Sequence, residues 1–423
     1  MNIENRKMVE CAGGAYPKRD EEDPLVVVAS YDRFENLAHA PAGEPAKKYT
    51  LRVYRLHRKS GTLTELAIDS TLSNPAFLRF HPKYNVLYAC TEDITKDNEI
   101  ACFDVSPNCG KLTLLGTQSA LGKSTCYLVI DHPMDHMLFV NYWDSVVGTM
   151  PLSASGTLEP VCHKLQPERP VVARNLDDHL ADRQSEPHAH AIVLDPYFGK
   201  VAFVPDLGMD HIKQHHYDEA TGLLTPCITL SCGPDELKPH GPRYIAFHPT
   251  VNMAYVVNEL SSTVSVYEFN VGAARVLEAG QDQPTLRFVQ SVSTIPSAFP
   301  RSLNTCGRIC VDPTGRFVLV SNRGHNSIAV FAIRDGDGSG EGGFLAIMSY
   351  CHTKGRTPRH FQFDPSGEFL LSANQDTDNL TIFRFNSKTG ELVFTQQGYE
   401  VPSPNFVCVF HPHRNSRRAM SRL

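Results

Sequence analysis

The chain repeats one pattern of hydrophobic and polar positions seven times. In each copy a hydrophobic stretch runs into His-Pro or Asp-Pro, a tight turn follows, and a second hydrophobic stretch begins. The turn prolines are Pro82, Pro133, Pro196, Pro249, Pro313, Pro365 and Pro412. Three or four short strands in a repeat of roughly 40–50 residues are typical of a propeller blade. The pattern therefore predicts an all-β fold, a seven-bladed β-propeller.

The two ends of the chain are predicted to share one blade. Residues 25–31 have the pattern of a second strand with no first strand before them, and too few residues follow Pro412 for another strand. We expect residues 405–410 to supply the missing inner strand, which closes the ring and removes an open sheet edge. The predicted organisation is a flexible N-terminal segment over 1–24, a single propeller domain over 25–412 and a basic tail over 413–423.

Composition and charge limit the kinds of molecule that the protein is expected to bind. A net charge of −6 gives no sign of affinity for nucleic acid or for an anionic membrane. No stretch approaches the roughly 20 apolar residues of a transmembrane helix, and the N-terminus lacks the apolar core of a secretory signal. The twelve cysteines include no Cys-x-x-Cys pair, so we expect buried reduced thiols in an intracellular protein.

The last three residues, Ser421, Arg422 and Leu423, are similar to the Ser-Lys-Leu peroxisomal address. A polar, basic stretch precedes them, as an import receptor requires. The expected partner is a peroxisomal import receptor, and the expected location is the cytoplasm, a peroxisome-like organelle or both. The alternative is a solvated tail that ends in leucine by chance.

Ring geometry predicts where chemistry takes place. The strand before each proline is innermost and its successor is antiparallel to it. The start of the first strand and the end of the second therefore lie at one mouth of the central channel. The unusual polar residues at these positions are His188, His190, Arg243, Asn258, Glu259, Arg323, His325, Arg359, Asn374 and Gln375. Several arginines held together are costly without an anion between them, so this mouth is predicted to bind an anionic ligand.

The residue types indicate the chemistry. Arginine binds carboxylate or phosphate in a bidentate way and stabilises the oxyanion that forms when water adds to a carbonyl. Histidine or glutamate supplies a general base or acid. No Gly-x-Ser-x-Gly motif is present, so a serine nucleophile is not indicated. His188 and His190 alternate on one strand face, but no third metal ligand has suitable spacing, and we predict neither a metal nor a cofactor. The asparagines at strand ends have a simpler alternative role, hydrogen bonding to a neighbouring turn.

From about residue 187 onward the repeats resemble the seven-bladed lactonase family. The most specific segment is residues 255–264, Tyr-Val-Val-Asn-Glu-Leu-Ser-Ser-Thr-Val; residues 187–190, 241–243, 321–325 and 357–359 complete the resemblance. Members of this family include the propeller-type bacterial 6-phosphogluconolactonases and the fungal 3-carboxy-cis,cis-muconate lactonising enzymes. Residues 163–185, rich in charge and without repeat character, are expected to form a loop near the active mouth.

The resemblance implies a catalytic pocket of one histidine from the His188/His190 pair with Arg243, Glu259 and Arg323. Of the two, we expect His190 to be the catalytic histidine. The substrate-binding set is His188, Asn258, His325, Arg359, Asn374 and Gln375, with Arg359 expected to hold a phosphate. The favoured function is hydrolysis of a small anionic sugar lactone such as 6-phosphogluconolactone. Two alternatives stay open, a carboxymuconate-lactonising enzyme and a non-enzymatic interaction propeller. The absence of Gly-His…Trp-Asp repeats weighs against the latter.

Overall fold

Seven four-stranded antiparallel sheets form the molecule, as the repeat predicts. The structure is a computed structural model that describes residues 23–167, 183–234, 239–334 and 342–413. Within these ranges every sheet has the order of a propeller blade, with successive strands paired side by side. The two inner strands of each blade are largely buried. The predicted seven-bladed β-propeller is confirmed.

The strands follow chain order within the blades. The first blade contains β1 (Leu25–Ser30), β2 (Leu51–His57) and β3 (Thr62–Asp69). The second contains β4 (Pro75–Phe80), β5 (Val86–Thr91), β6 (Glu99–Val105) and β7 (Leu112–Ser119). The third contains β8 (Thr125–Ile130), β9 (His136–Asn141), β10 (Val147–Pro151) and β11 (His163–Leu165). The fourth contains β12 (Val193–Leu194), β13 (Val201–Asp206), β14 (His211–Asp218) and β15 (Leu223–Ser231).

The remaining blades repeat this arrangement. The fifth contains β16 (Pro242–Phe247), β17 (Met253–Asn258), β18 (Thr263–Phe269) and β19 (Leu286–Ser293), with the short helix α1 (Val271–Val276) after β18. The sixth contains β20 (Thr305–Val311), β21 (Phe317–Arg323), β22 (Ser327–Arg334) and β23 (Phe344–His352). The seventh contains β24 (Pro358–Phe363), β25 (Phe369–Asn374), β26 (Asn379–Asn386) and β27 (Glu391–Glu400). The last strand, β28 (Pro404–Phe410), returns to the first blade.

The ring closes between the two ends of the chain. β28 pairs antiparallel with β1, with Leu25 opposite Phe410 and Ala29 opposite Phe406. Every residue of both strands is buried. The predicted closure is confirmed, and the first blade therefore depends on residues almost 400 positions apart in sequence.

Most of the two predicted terminal segments lies outside the described residues. Of the predicted N-terminal segment only residues 23 and 24 are described, and of the predicted tail only residue 413. The flexibility of these segments and the import signal at Ser421, Arg422 and Leu423 therefore stay predictions. Among the described residues no helix combines the length and the hydrophobicity needed to cross a membrane.

Candidate active site

A β-bulge recurs at the channel mouth in six of the seven blades. In five of these blades the bulge leaves one inner-strand residue without a partner on the next strand. These residues are Ala76, Cys126, Arg243, Arg359 and Asn405, and all of them line the same cavity. A bulge inserts an extra residue and changes the direction of its side chain. The repeated bulge thus explains how side chains from separate blades come to face one point.

The carboxylate of Glu259 forms ion pairs with arginines of the fifth and sixth blades. Nε of Arg243 and Nη2 of Arg323 each lie 2.9 Å from Oε2 of Glu259. Arg183 contacts the other carboxylate oxygen, Oε1. His190 is the nearest imidazole, with Nε2 3.9 Å from Oε2. The predicted catalytic residues His190, Arg243, Glu259 and Arg323 therefore lie together.

Backbone carbonyl groups fix two of these guanidinium groups. Nη1 of Arg243 donates to the carbonyl of Gly307 at 2.8 Å, and Nη2 of Arg323 donates to the carbonyl of Cys306 at 2.7 Å. A Cβ atom at residue 307 would lie 2.8 Å from the carbonyl oxygen of Arg359, so only glycine fits between the two blades. Arg243 also packs over the ring of Tyr244, 4.4 Å from its centroid.

The charges in this cluster set the protonation states. Burial alone would raise the pKa of Glu259, but the positive charges of Arg323, Arg183 and Arg243 hold it well below its usual range. Burial and the neighbouring cations lower the pKa of Arg323 to about 10, so it remains charged at neutral pH. Three guanidinium groups against one carboxylate leave the cluster positive, which favours an anion or a developing oxyanion.

Of the His188/His190 pair, His190 is the one that lines the cavity, and it is neutral at physiological pH. Burial, followed by the positive charge of Arg243, lowers its pKa well below the usual value. Its ring packs edge-on against Tyr142 and Tyr244, with centroid distances of 5.1 and 5.6 Å. A neutral imidazole of this kind can accept a proton.

His188 lies outside the cavity lining. Its Nδ1 is 3.0 Å from the carbonyl oxygen of Tyr142, and its ring stacks on that tyrosine. This placement favours a role in holding Tyr142 and the nearby backbone. The sequence pattern does not distinguish the two histidines, but their contacts in the structure do.

A second group of polar residues lies on the wall formed by the first, second and seventh blades. The hydroxyl of Tyr31 donates to Oε2 of Glu92, and Nη2 of Arg359 lies 3.2 Å from the same hydroxyl and 3.8 Å from that carboxylate oxygen. Together with His190, Arg243, Tyr244, His360 and Asn405 they line a small, partly open cavity. The predicted residue Arg359 therefore reaches the cavity, but it is already engaged by Tyr31 and Glu92.

Besides His188, four further predicted substrate ligands do not reach the cavity lining. Asn258 and Asn374 are fully buried and donate to threonine hydroxyls of their own blades, Thr263 and Thr381, at 3.0 Å. Nδ1 of His325 lies 2.7 Å from the hydroxyl of Ser327, and Gln375 lies in a buried turn after β25. The alternative role stated for the asparagines was hydrogen bonding to a neighbouring turn; here their side-chain amides donate to strand residues of their own blades. As substrate ligands all four remain predictions without a contact to the cavity.

The charged and polar residues of the site that the sequence pattern missed include Tyr31, Glu92 and Arg183. Tyr31 and Glu92 each follow a second strand, β1 and β5, so the positional rule applied to the first two blades would have found them. Arg183 lies at the end of the charged loop expected near the mouth, of which residues 168–182 are outside the described ranges. Its contact with Glu259 supports the predicted position of that loop. The sequence signal for Arg183 was the high charge of its segment. No regular spacing distinguished it from the other charged residues there.

Among the described residues no three histidine, cysteine, aspartate or glutamate side chains converge in a way that would hold a metal ion. The cavity instead presents guanidinium groups, which repel cations. The donor set of the site therefore matches an anionic ligand.

The comparison with known proteins agrees with this geometry. A family model described as lactonase, seven-bladed β-propeller, matches residues 26–409. The chain belongs to this lactonase family. It is 32% identical over 361 residues to a 6-phosphogluconolactonase of Bacillus subtilis, with 85% of this chain and 94% of that protein covered. A 6-phosphogluconolactonase of Formosa agariphila is 27% identical over 350 residues, with 81% of this chain and 90% of that protein covered.

Solved structures of related proteins have the same architecture. The periplasmic gluconolactonase PpgL of Pseudomonas aeruginosa superposes with a TM-score of 0.74 at 25% identity, covering 91% of this chain and 98% of that one. A Lactobacillus plantarum protein gives a TM-score of 0.75 at 23% identity, covering 92% and 99% of the two chains. The latter likeness supports the fold alone.

Proposed function

We propose that this lactonase hydrolyses a phosphorylated sugar lactone of the 6-phosphogluconolactone type to the open aldonate. The observation that carries the proposal is the Glu259 cluster, which holds Arg243 and Arg323 beside neutral His190 at an open cavity. The names of the Bacillus subtilis and Formosa agariphila relatives support this substrate class. An anionic substrate also matches the excess of guanidinium groups.

Hydrolysis needs an electrophile for the carbonyl oxygen and a proton acceptor for water. Arg243 lines the cavity, and its guanidinium is fixed by Glu259 and Gly307, so it is the donor that stabilises the oxyanion. Arg323 supports it through the shared carboxylate. Donors held in place before the reaction do not have to reorganise in the transition state, which is the source of their effect on rate.

His190 accepts the proton of the attacking water and returns it to the ring oxygen as the lactone opens. The sequence offered His190 or Glu259 as the base. Glu259 is the weaker candidate because three arginines stabilise its charged form and because it does not line the cavity. Its role in this proposal is to orient the arginines. Arg359 remains the candidate for binding the phosphate.

We propose that the reaction proceeds without a metal ion. The positive charge that a metal would bring to the carbonyl oxygen is available from guanidinium groups already in place. A direct check is to measure the rate after exhaustive treatment with a chelator and after addition of divalent cations; this proposal expects no change beyond roughly twofold.

The test is a pH-indicator assay with freshly prepared 6-phosphogluconolactone, gluconolactone and carboxymuconolactone, with spontaneous hydrolysis subtracted. Acceleration of the sugar lactones that is lost in Arg243→Ala supports the proposal. Preferential turnover of carboxymuconolactone would replace it with the lactonising alternative. No acceleration of any lactone by the folded protein would overturn it.

A further inference from the structure

Glu92 is the carboxylate that meets the substrate space. Among the described residues that line the cavity it is the one acidic side chain, whereas Glu259 lies behind the arginines. Glu92 comes from the second blade, directly after β5, and is 7% exposed. The cavity therefore has a cationic wall at Arg243. Its other part, called the mixed wall, carries Tyr31, Glu92, Arg359 and Asn405 and so combines an acidic with a basic side chain.

The mixed wall offers hydrogen-bond acceptors that have no partner. Oε2 of Glu92 receives the Tyr31 hydroxyl, whereas Oε1 forms no hydrogen bond with any described residue. Asn405 donates through Nδ2 to the carbonyl of Pro75 at 2.7 Å, which leaves its buried Oδ1 without a partner. A buried acceptor is almost always satisfied in a folded protein, so the unpaired Oδ1 of Asn405 at the cavity points to a ligand that carries donors, which can also reach Oε1 of Glu92.

The class of ligand follows from this pattern. A sugar lactone carries hydroxyl groups, which donate hydrogen bonds to carboxylate and amide oxygens. A lactone that carries a carboxylate in place of such a hydroxyl group brings acceptors and negative charge against Glu92, which repels it. The nearby Arg359 offsets only part of this repulsion, because its Nη2 lies 3.8 Å from Oε2.

We propose that Glu92, positioned by Tyr31 and joined by Asn405, is the specificity-determining residue that binds the hydroxyl groups of a polyhydroxylated lactone and excludes carboxylated lactones. This inference rests on the proposed lactonase function and sharpens its substrate class. A site built to accept a substrate hydroxyl discriminates strongly against analogues that lack it, since its own polar groups are then left unpaired.

The experiment crosses variants with substrates. The variants are Glu92→Gln, Tyr31→Phe and the control Glu391→Gln, an exposed residue of outer strand β27. The substrates are 6-phosphogluconolactone, gluconolactone, its 2-, 3- and 4-deoxy analogues and carboxymuconolactone. Glu92→Gln should lower kcat/KM for gluconolactone roughly 10- to 100-fold, mainly through KM, as expected for loss of a charged hydrogen bond. For the wild type, kcat/KM should be lower for at least one deoxy analogue than for gluconolactone. With that analogue, the Glu92→Gln substitution should lower kcat/KM little further.

The relative rate for carboxymuconolactone should rise in Glu92→Gln, and Tyr31→Phe should change KM in the same direction by a smaller factor. If the wild type hydrolyses gluconolactone but Glu92→Gln shows an unchanged KM and unchanged losses for all three deoxy analogues, this inference is overturned and the lactonase function stands. If the wild type accelerates no lactone, the proposed function itself fails. Equal melting temperatures of Glu92→Gln and Glu391→Gln establish that the differences do not arise from unfolding.

Discussion

Nε of Arg243 lies 2.9 Å from Oε2 of Glu259, and both side chains are only 3% exposed. Arg243 lies on β16, and Glu259 directly follows β17, which is the neighbouring strand of the same blade. Because the carboxylate also contacts Arg183 and Arg323, it holds three like charges in one place. The following predictions test what this arrangement does.

Loss of either Arg243 or Arg323 should reduce turnover without unfolding the ring. Removal of one preorganised oxyanion donor typically costs roughly 10²–10³ in kcat. Arg243→Ala should reach this range, and Arg323→Ala should lose at least as much if the two act as a unit through Glu259. Turnover is measured by the indicator assay and folding by circular dichroism. Near-normal turnover in both folded variants would reject this site.

Glu259→Gln should destabilise the protein in a pH-dependent way. At pH 7 the change leaves buried arginines without their counter-charge, a loss of about 3–5 kcal/mol when one partner of a buried ion pair is removed. The folded-state pKa of Glu259 lies below its unfolded value, so its contribution is complete above pH of about 4.3 and is lost as the pH falls through the folded pKa.

Melting temperatures of wild type and Glu259→Gln should therefore differ widely at pH 7 and converge steadily below about pH 4. A conservative control is Glu391→Gln, which lies on the exposed outer strand β27. A gap between wild type and Glu259→Gln that stays constant from pH 7 to pH 3 would contradict the assigned charge state.

The pH dependence of kcat/KM should lack a histidine limb in the ordinary range. Burial and Arg243 lower the pKa of His190 well below 6.5, so the imidazole stays neutral and able to accept a proton as the pH falls from 8 to 6. The profile is measured with spontaneous hydrolysis subtracted at each pH. His190→Asn should lose roughly 10²- to 10⁴-fold. A wild-type acid limb with a midpoint near 6.5 would show that another group titrates.

Closure of the ring should be essential for stability. Deleting everything after Ser403 removes β28, exposes the edge of β1 and uncovers the apolar side chains that β28 buries. The truncated protein should be insoluble or should melt at a much lower temperature. A chain that ends after His413 keeps β28 and serves as the control. An unchanged melting temperature after removal of β28 would show that this pairing does not hold the ring together.

The seven-fold repeat determined the architecture from sequence alone. Alternating strands around His-Pro and Asp-Pro turns are a local pattern, and seven copies of one pattern have few ways to pack other than as a ring. The unpaired strand at residues 25–31 likewise implied its partner at 405–410, because an unfilled position in the first blade required an inner strand. His190, Arg243, Glu259 and Arg323 were placed together by the same rule of strand starts and ends.

The contacts inside the channel were decided by the tertiary structure. His188 and His190 occupy equivalent positions in the pattern, but only the packing of Tyr142 turns one towards the backbone and leaves the other at the cavity. The bulges that direct Arg243 and Arg359 inward are irregularities of pairing, which a hydrophobic pattern does not record. The position of Glu92 in the site also depends on the tertiary structure. Its partners Tyr31 and Arg359 come from other blades, and contacts between such distant segments exist only once the ring has closed.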